Sequence, residues 1–175
     1  HILGISCFYH DSAAALLREG ELVAAAEEER FSRVKHDFGF PDLAIEFCLA
    51  KAGIAPEELD YVVFYEKPFQ KFDRILNTVL QTFPGSLKVF QDAMINWIGD
   101  KLWVKSIIHK HLGVPLDRIL FTEHHMSHAA SAYFASPFDE AAILTVDGVG
   151  EWATTAMGQA KGQEITLDRE QRFPH

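Results

Sequence analysis

Three short apolar runs within the first 26 residues fix how this chain starts: residues 2–8, 13–17 and 22–26. Runs of that length, bounded by turn residues, read as strands. The polar turn Tyr9-His10-Asp11-Ser12 parts the first two, and Glu19-Gly20 forms a hairpin turn between the second and third. Residues 31–40 read as a loop of mixed charge. Pro41 suits the first turn of a helix, which Leu43, Ile45, Phe47, Leu49 and Ala50 carry to Gly53. A fourth strand is expected at 61–65 and a fifth at 118–121.

Between those two strands the period changes. Residues 68–112 space Phe69, Phe72, Leu76, Val79 and Leu80, then Leu87, Phe90, Met94, Trp97 and Ile98, as helices do. Pro84-Gly85 breaks the run, Ser86 suits a cap, and Gly99 marks a kink. A short helix is expected at 125–135, stopped by Pro137. Strands follow at 141–146, 152–157 and 165–169, with Asp147-Gly148-Val149-Gly150 as a tight turn. The last strand leaves an edge open to pairing.

Composition narrows the class. The 175 residues are 48% hydrophobic and 23% charged, which is the range of folded globular chains. Acidic residues outnumber basic ones 25 to 16, a net charge of −9, which argues against a nucleic-acid surface. No apolar stretch nears the ~18 residues of a membrane span. Cys7 and Cys48 make no CxxC pair, so a reducing, cytoplasmic setting is expected. The chain opens inside an apolar run and stops at Arg172-Phe173-Pro174-His175, which reads as a piece of a longer protein.

The two halves echo each other: strand, polar turn, strand rich in small residues, hairpin, strand. Three strands, then helix and strand in alternation, then a restart, is the layout of an α/β, ribonuclease-H-like fold. Acetate kinase, sugar kinases, Hsp70 and actin share it. On that analogy a mixed sheet carries helices on both faces, plus a helical insertion at about 68–113. Residues 1–140 would form a first lobe and 141–175 the opening of a second. The two polar turns would face each other and hold nucleotide phosphates.

Nine histidines are many for this length, and three fall within five residues: His124, His125 and His128. His124 and His128 are four apart and share one helical face, where two imidazoles can grip one metal. Capping or solvated histidines at a helix start are an equally open reading. Asp147 follows a strand and completes two histidines and one carboxylate, a set suited to iron or a similar divalent ion; alone it would be an ordinary Asp-Gly turn. His125 is read as a neighbour and not a ligand. Gly148 and Gly150 let backbone amides approach an anion. Thr154 and Thr155 can add hydroxyls or simply fill a strand. In the first turn, His10 is a candidate general base with Asp11 as its orienting partner, against a plain turn. Arg30, Arg33, Lys35 and His36 can meet an anion or be a solvated loop. The aromatic stripe of 68–112 reads as packing surface.

Four segments resemble the bacterial O-carbamoyltransferases of the NodU/CmcH type: Leu3-Gly4-Ile5-Ser6 to His10-Asp11-Ser12-Ala13-Ala14; Glu27-Glu28-Glu29-Arg30-Phe31-Ser32-Arg33-Val34-Lys35-His36-Asp37; His124-His125-Met126-Ser127-His128-Ala129-Ala130-Ser131-Ala132-Tyr133; and Asp147-Gly148-Val149-Gly150-Glu151. The resemblance implies an N-terminal domain similar to the tRNA threonylcarbamoyl-transfer protein, with an HxxxH metal motif matched by His124 and His128 and a third ligand in Asp147. Iron is favoured, with zinc or manganese as alternatives. It implies a further C-terminal domain that makes carbamoyl-adenylate from carbamoyl phosphate and ATP, with Mg2+ as a compatible ion. Transfer would go to a hydroxyl of a small-molecule or sugar acceptor, with Ser12, Lys35, Gly148 and Gly150 at the nucleotide. The 175-residue piece alone is expected to be inactive. The rival readings are a small-molecule kinase of the same superfamily, which has no use for an HxxxH pair, and a non-catalytic metal- or nucleotide-binding module.

Overall fold

The computed structural model describes residues 1–174 except His10, Val89, Asp92, Ala93, Ile95, Asn96, Ile98, Gly99 and Asp100. The proposed base His10 and the proposed kink at Gly99 therefore lie outside the described residues. The chain divides into two compact units, His1–Tyr65 with Asn96–Phe121, and Glu66–Ile95 with Thr122–His175.

The first unit is a five-stranded mixed sheet in the order β3-β2-β1-β4-β5. Its strands are β1 Ile2–Ser6, β2 Ala13–Arg18, β3 Glu21–Glu27, β4 Tyr61–Phe64 and β5 Ile119–Phe121. β1 pairs antiparallel with β2 and parallel with β4, which pairs parallel with β5. The β2–β3 hairpin turns on Glu19 and Gly20, both at positive φ (52° and 86°), the two-residue turn that matches strand twist. β1 stops at Ser6 and not Phe8, because Phe8 takes φ 68° and leaves the extended region.

One face of this sheet buries Leu3, Ile5, Leu16, Val62, Phe64 and Ile119 against two helices, α2 (Asp42–Ala52) and α4 (Val104–Leu112). Gly53 ends α2 at φ 68°, where a glycine costs least. The expected loop at 31–40 is partly helical: a single turn, α1 (Glu29–Ser32), takes up its first residues. Glu28, just before α1, is 5% exposed. Its carboxylate accepts the amides of Leu43 (3.1 Å) and Ala44 (2.8 Å), two orphan N–H groups in the first turn of α2. Cys7 and Cys48 are buried and form no disulfide with each other.

The second unit holds an antiparallel meander, β6 Glu140–Val146, β7 Ala153–Lys161 and β8 Glu164–Arg172, with α3 (Pro68–Thr82) and α5 (His124–Tyr133). Both later strands run longer than periodicity predicts. Gly158 looks like a strand breaker, yet a Cβ there would lie 1.8 Å from the Thr166 carbonyl oxygen, so glycine is the residue that lets β7 and β8 approach. The Ser86 hydroxyl donates to the Val79 carbonyl (2.8 Å). Among the described residues no helix is long and apolar enough to cross a membrane.

Candidate functional site

α5 begins at His124 itself, one residue earlier than its sequence signals suggest. Both HxxxH imidazoles therefore project from helical backbone, one turn apart. His124 Nε2 and His128 Nε2 lie 3.1 Å apart. Asp147, the first residue after β6, brings Oδ2 to 2.8 Å from His124 Nε2 and 4.0 Å from His128 Nε2. A metal held 2.0–2.2 Å from each donor sets donor–donor spacings of about 3–3.5 Å, and these three spacings straddle that range. The residues present thus fit a divalent ion by donor chemistry and by convergence, with coordination positions left for other ligands.

Two glutamates hold this helix start. Glu66 lies two residues after β4 and is 6% exposed. Its Oε2 accepts from His124 Nδ1 (3.2 Å) and from the equally buried Lys71 Nζ (2.8 Å) on α3. Glu151, also 6% exposed, accepts the backbone amides of His124 (3.0 Å) and Lys67 (2.9 Å). It thereby satisfies the first orphan amide of α5 and the residue leading into α3. Neither role is legible locally in the sequence, since both glutamates act on His124 from far along the chain.

Burial and charge oppose each other here. Burial pushes the His124 imidazole down, but the Glu66 hydrogen bond and the Glu66 and Asp147 charges win and raise it above 6.5. Burial pushes Glu66 up; His124 and Lys71 outweigh it and hold the carboxyl below its ordinary value. Burial, then the His124 charge, push His128 down. Asp147 is raised by burial, yet the Gly148 amide and the His124 charge leave it below the usual carboxylate range. With Nδ1–H donated to Glu66, a proton on His124 Nε2 bridges to Asp147, and a cation would take that proton's place.

His125 is oriented away from this set. Its Nε2 donates to the Ala153 carbonyl (2.9 Å), and its Nδ1 lies 2.7 Å from the Thr145 hydroxyl oxygen. It pins α5 to β6 and β7.

The turn residues are engaged internally. The Gly148 amide is on Asp147 Oδ1 (2.6 Å), and the Gly150 amide donates to Ala153 O (3.0 Å). Gly150 has a different physical reason: a Cβ there would lie 2.9 Å from the His124 ring. Thr154 spends its hydroxyl on the Gln171 carbonyl (3.2 Å). Ser12 is 1% exposed and donates to Gly39 O (2.6 Å). Lys35 is exposed.

A second cluster stands in the first unit. Asp11 Oδ1 is 2.8 Å from His36 Nδ1, and the His36 amide donates to Glu29 (3.0 Å). Donor atoms of Asp11, Glu29 and His36 lie within 4.8 Å of one another. Asp11, Arg33 and His36 all take positive φ. Asp11 thus orients His36, a partner that sequence spacing did not suggest.

Known proteins match this chain along its length. The family described as "Carbamoyltransferase N-terminus" matches residues 1–175. An uncharacterized protein of Synechocystis sp. is 52% identical over 182 residues, spanning 100% of this chain and 30% of that protein. The nodulation protein NolNO of Sinorhizobium fredii is 35% identical over 160 residues, spanning 90% of this chain and 22% of its own. The chain thus spans a third or less of the length of these relatives. YeaZ from Pseudomonas aeruginosa superposes with a TM-score of 0.51 at 16% identity, over 99% of this chain and 66% of that one. At that identity the likeness speaks to the fold, which is α/β and ribonuclease-H-like.

Proposed function

This chain belongs to the carbamoyltransferase N-terminal family, and from that premise we propose that it is the N-terminal part of an O-carbamoyltransferase. The enzyme would move a carbamoyl group from carbamoyl-adenylate to a hydroxyl of a small-molecule or sugar acceptor. Carbamoyl-adenylate would come from carbamoyl phosphate and ATP in a further part of the same chain. The two-lobe layout, 1–140 and 141–175, belongs to this proposal.

The convergence of His124, His128 and Asp147 carries the reading. A divalent ion there, iron by preference, would supply charge to hold a phosphate oxygen and to polarise a carbonyl. The chain's own residues do the rest. His124 and His128 present Nε2 from one helical turn, which brings the two donors together. Glu151 and His125 fix that turn to its unit. Asp147 adds the single negative charge that keeps the ligand set selective for a cation. The acceptor hydroxyl must lose a proton, and His10 is the proposed base, with Asp11 beside it in the chain.

Metal content and carbamoyl-phosphate-dependent AMP release are the deciding measurements. They should be made on the longer protein that contains this chain, wild type against His124→Ala. Wild type should hold stoichiometric metal and couple acceptor carbamoylation to AMP; the variant should lose both. Wild type without metal and unchanged coupled transfer in His124→Ala would overturn the reading. Normal transfer from preformed carbamoyl-adenylate by His10→Ala would remove the base assignment alone.

A further inference from the structure

Glu66 is a costly residue to bury. A desolvated carboxylate paired with a buried ammonium gains little stability over an apolar pair of the same shape. Its burial therefore calls for another reason, and the geometry supplies one. A single oxygen, Oε2, accepts from Lys71 Nζ at 2.8 Å and from His124 Nδ1 at 3.2 Å. A carboxylate can only accept, so the proton shared with His124 sits on Nδ1. That leaves Nε2, on the other flank of the ring, turned to Asp147 and His128.

We infer that Glu66, held in place by Lys71, is the positioning residue that sets the tautomer and orientation of His124 for cation binding, an inference that rests on the three-residue metal reading above. Carboxylates that hold the far nitrogen of a ligating imidazole act in this way, by fixing the ring and raising its basicity. Glu66 is not itself one of the three convergent donors. Lys71 cancels its charge and holds Oε2 on the Nδ1 side, so Glu66 does not compete for the ion.

Two measurements on the longer protein that contains this chain test this. The first is Zn2+ affinity by calorimetry. The second needs no metal: the His124 tautomer at alkaline pH, read from selectively 15N-labelled histidine, its signal identified by loss in His124→Asn. Wild type should show the Nδ1–H form. Glu66→Gln keeps an acceptor, so it should keep that tautomer while losing about tenfold in Zn2+ affinity. The apolar double variant Glu66→Leu/Lys71→Met leaves no buried charge unpaired. It should shift His124 toward the Nε2–H form and lose up to about 100-fold. A wild-type Nε2–H tautomer, or a double variant with wild-type tautomer and affinity, would overturn the inference. If wild type binds no Zn2+ through His128 and Asp147, the metal reading fails. The tautomer comparison then still decides whether Glu66 positions the ring.

Discussion

Each unit of this chain carries an Asp–His pair at 2.8 Å, and each pair follows a strand that ends in a polar turn. Asp11–His36 stands in the open, its side chains 41% and 62% exposed. Asp147–His124 is enclosed, its histidine side chain 10% exposed. His124 also has Glu66 behind its far nitrogen and His128 beside its near one. Contact distance alone therefore does not distinguish a surface ion pair from a ligand set. Desolvation and a partner on the second ring nitrogen do, because they fix which nitrogen is offered and make an unmet charge expensive.

The units share a second device. Glu28 caps α2 and Glu151 caps α5, each as a buried carboxylate brought to a helix start from outside that helix. Glu28 steadies a helix that covers the first sheet, whereas Glu151 steadies the helix that bears the two imidazoles.

The largest contrast is expected in metal affinity. Asp147→Ala should weaken Zn2+ binding by more than the about 100-fold that loss of an outer partner reaches, while Asp11→Ala leaves it unchanged. Calorimetry on both variants checks this, and equal effects would erase the distinction between the pairs. Next comes stability. Glu28→Ala and Glu151→Ala each strand two amides that now bond to a charged acceptor, at a cost of about 2–4 kcal/mol by urea denaturation. Only Glu151→Ala should also weaken metal binding.

Acid should sharpen the comparison further. His124 titrates above 6.5, so below its pKa a cation must displace a proton, and affinity should fall about tenfold for each pH unit of acidification. Above that pKa the affinity should level off, since His128 and Asp147, both shifted down, are already deprotonated. A flat profile through the acid range would contradict the proton-for-metal exchange. The smallest effect concerns His36, whose Asp11 hydrogen bond and charge raise it above 6.5. Asp11→Asn should return its NMR titration toward the ordinary value, and salt should do so in part.

Local pattern made much of this legible. The first hairpin was visible in Glu19-Gly20, and the imidazole pair in a spacing of four before a helical run. Asp147 was visible as an acid following a strand. The expectation that Gly148 and Gly150 approach an anion came from glycine's open backbone and from the resemblance; in the structure the Gly148 amide is on Asp147 and the Gly150 amide on the Ala153 carbonyl. The expected strand at 152–157 stopped short of Gly158, whose part in the close approach of two strands shows only once the neighbouring strand is known. Glu66 and Lys71 had no signal, and Glu28 and Glu151 showed only as letters of the resembling motifs; what each one holds was not legible, since the partners lie 5 to 84 positions away in no repeating register.

What the sequence determined by itself was the order of elements and the chemical types available at each turn. Those follow from hydrophobic period, turn residues and spacings within one or two helical turns. Only the tertiary structure decided which Asp–His pair is enclosed, which nitrogen of His124 faces the cluster, and which glutamates hold the helix that carries it. Burial and hydrogen-bond direction depend on groups brought together from distant parts of the chain.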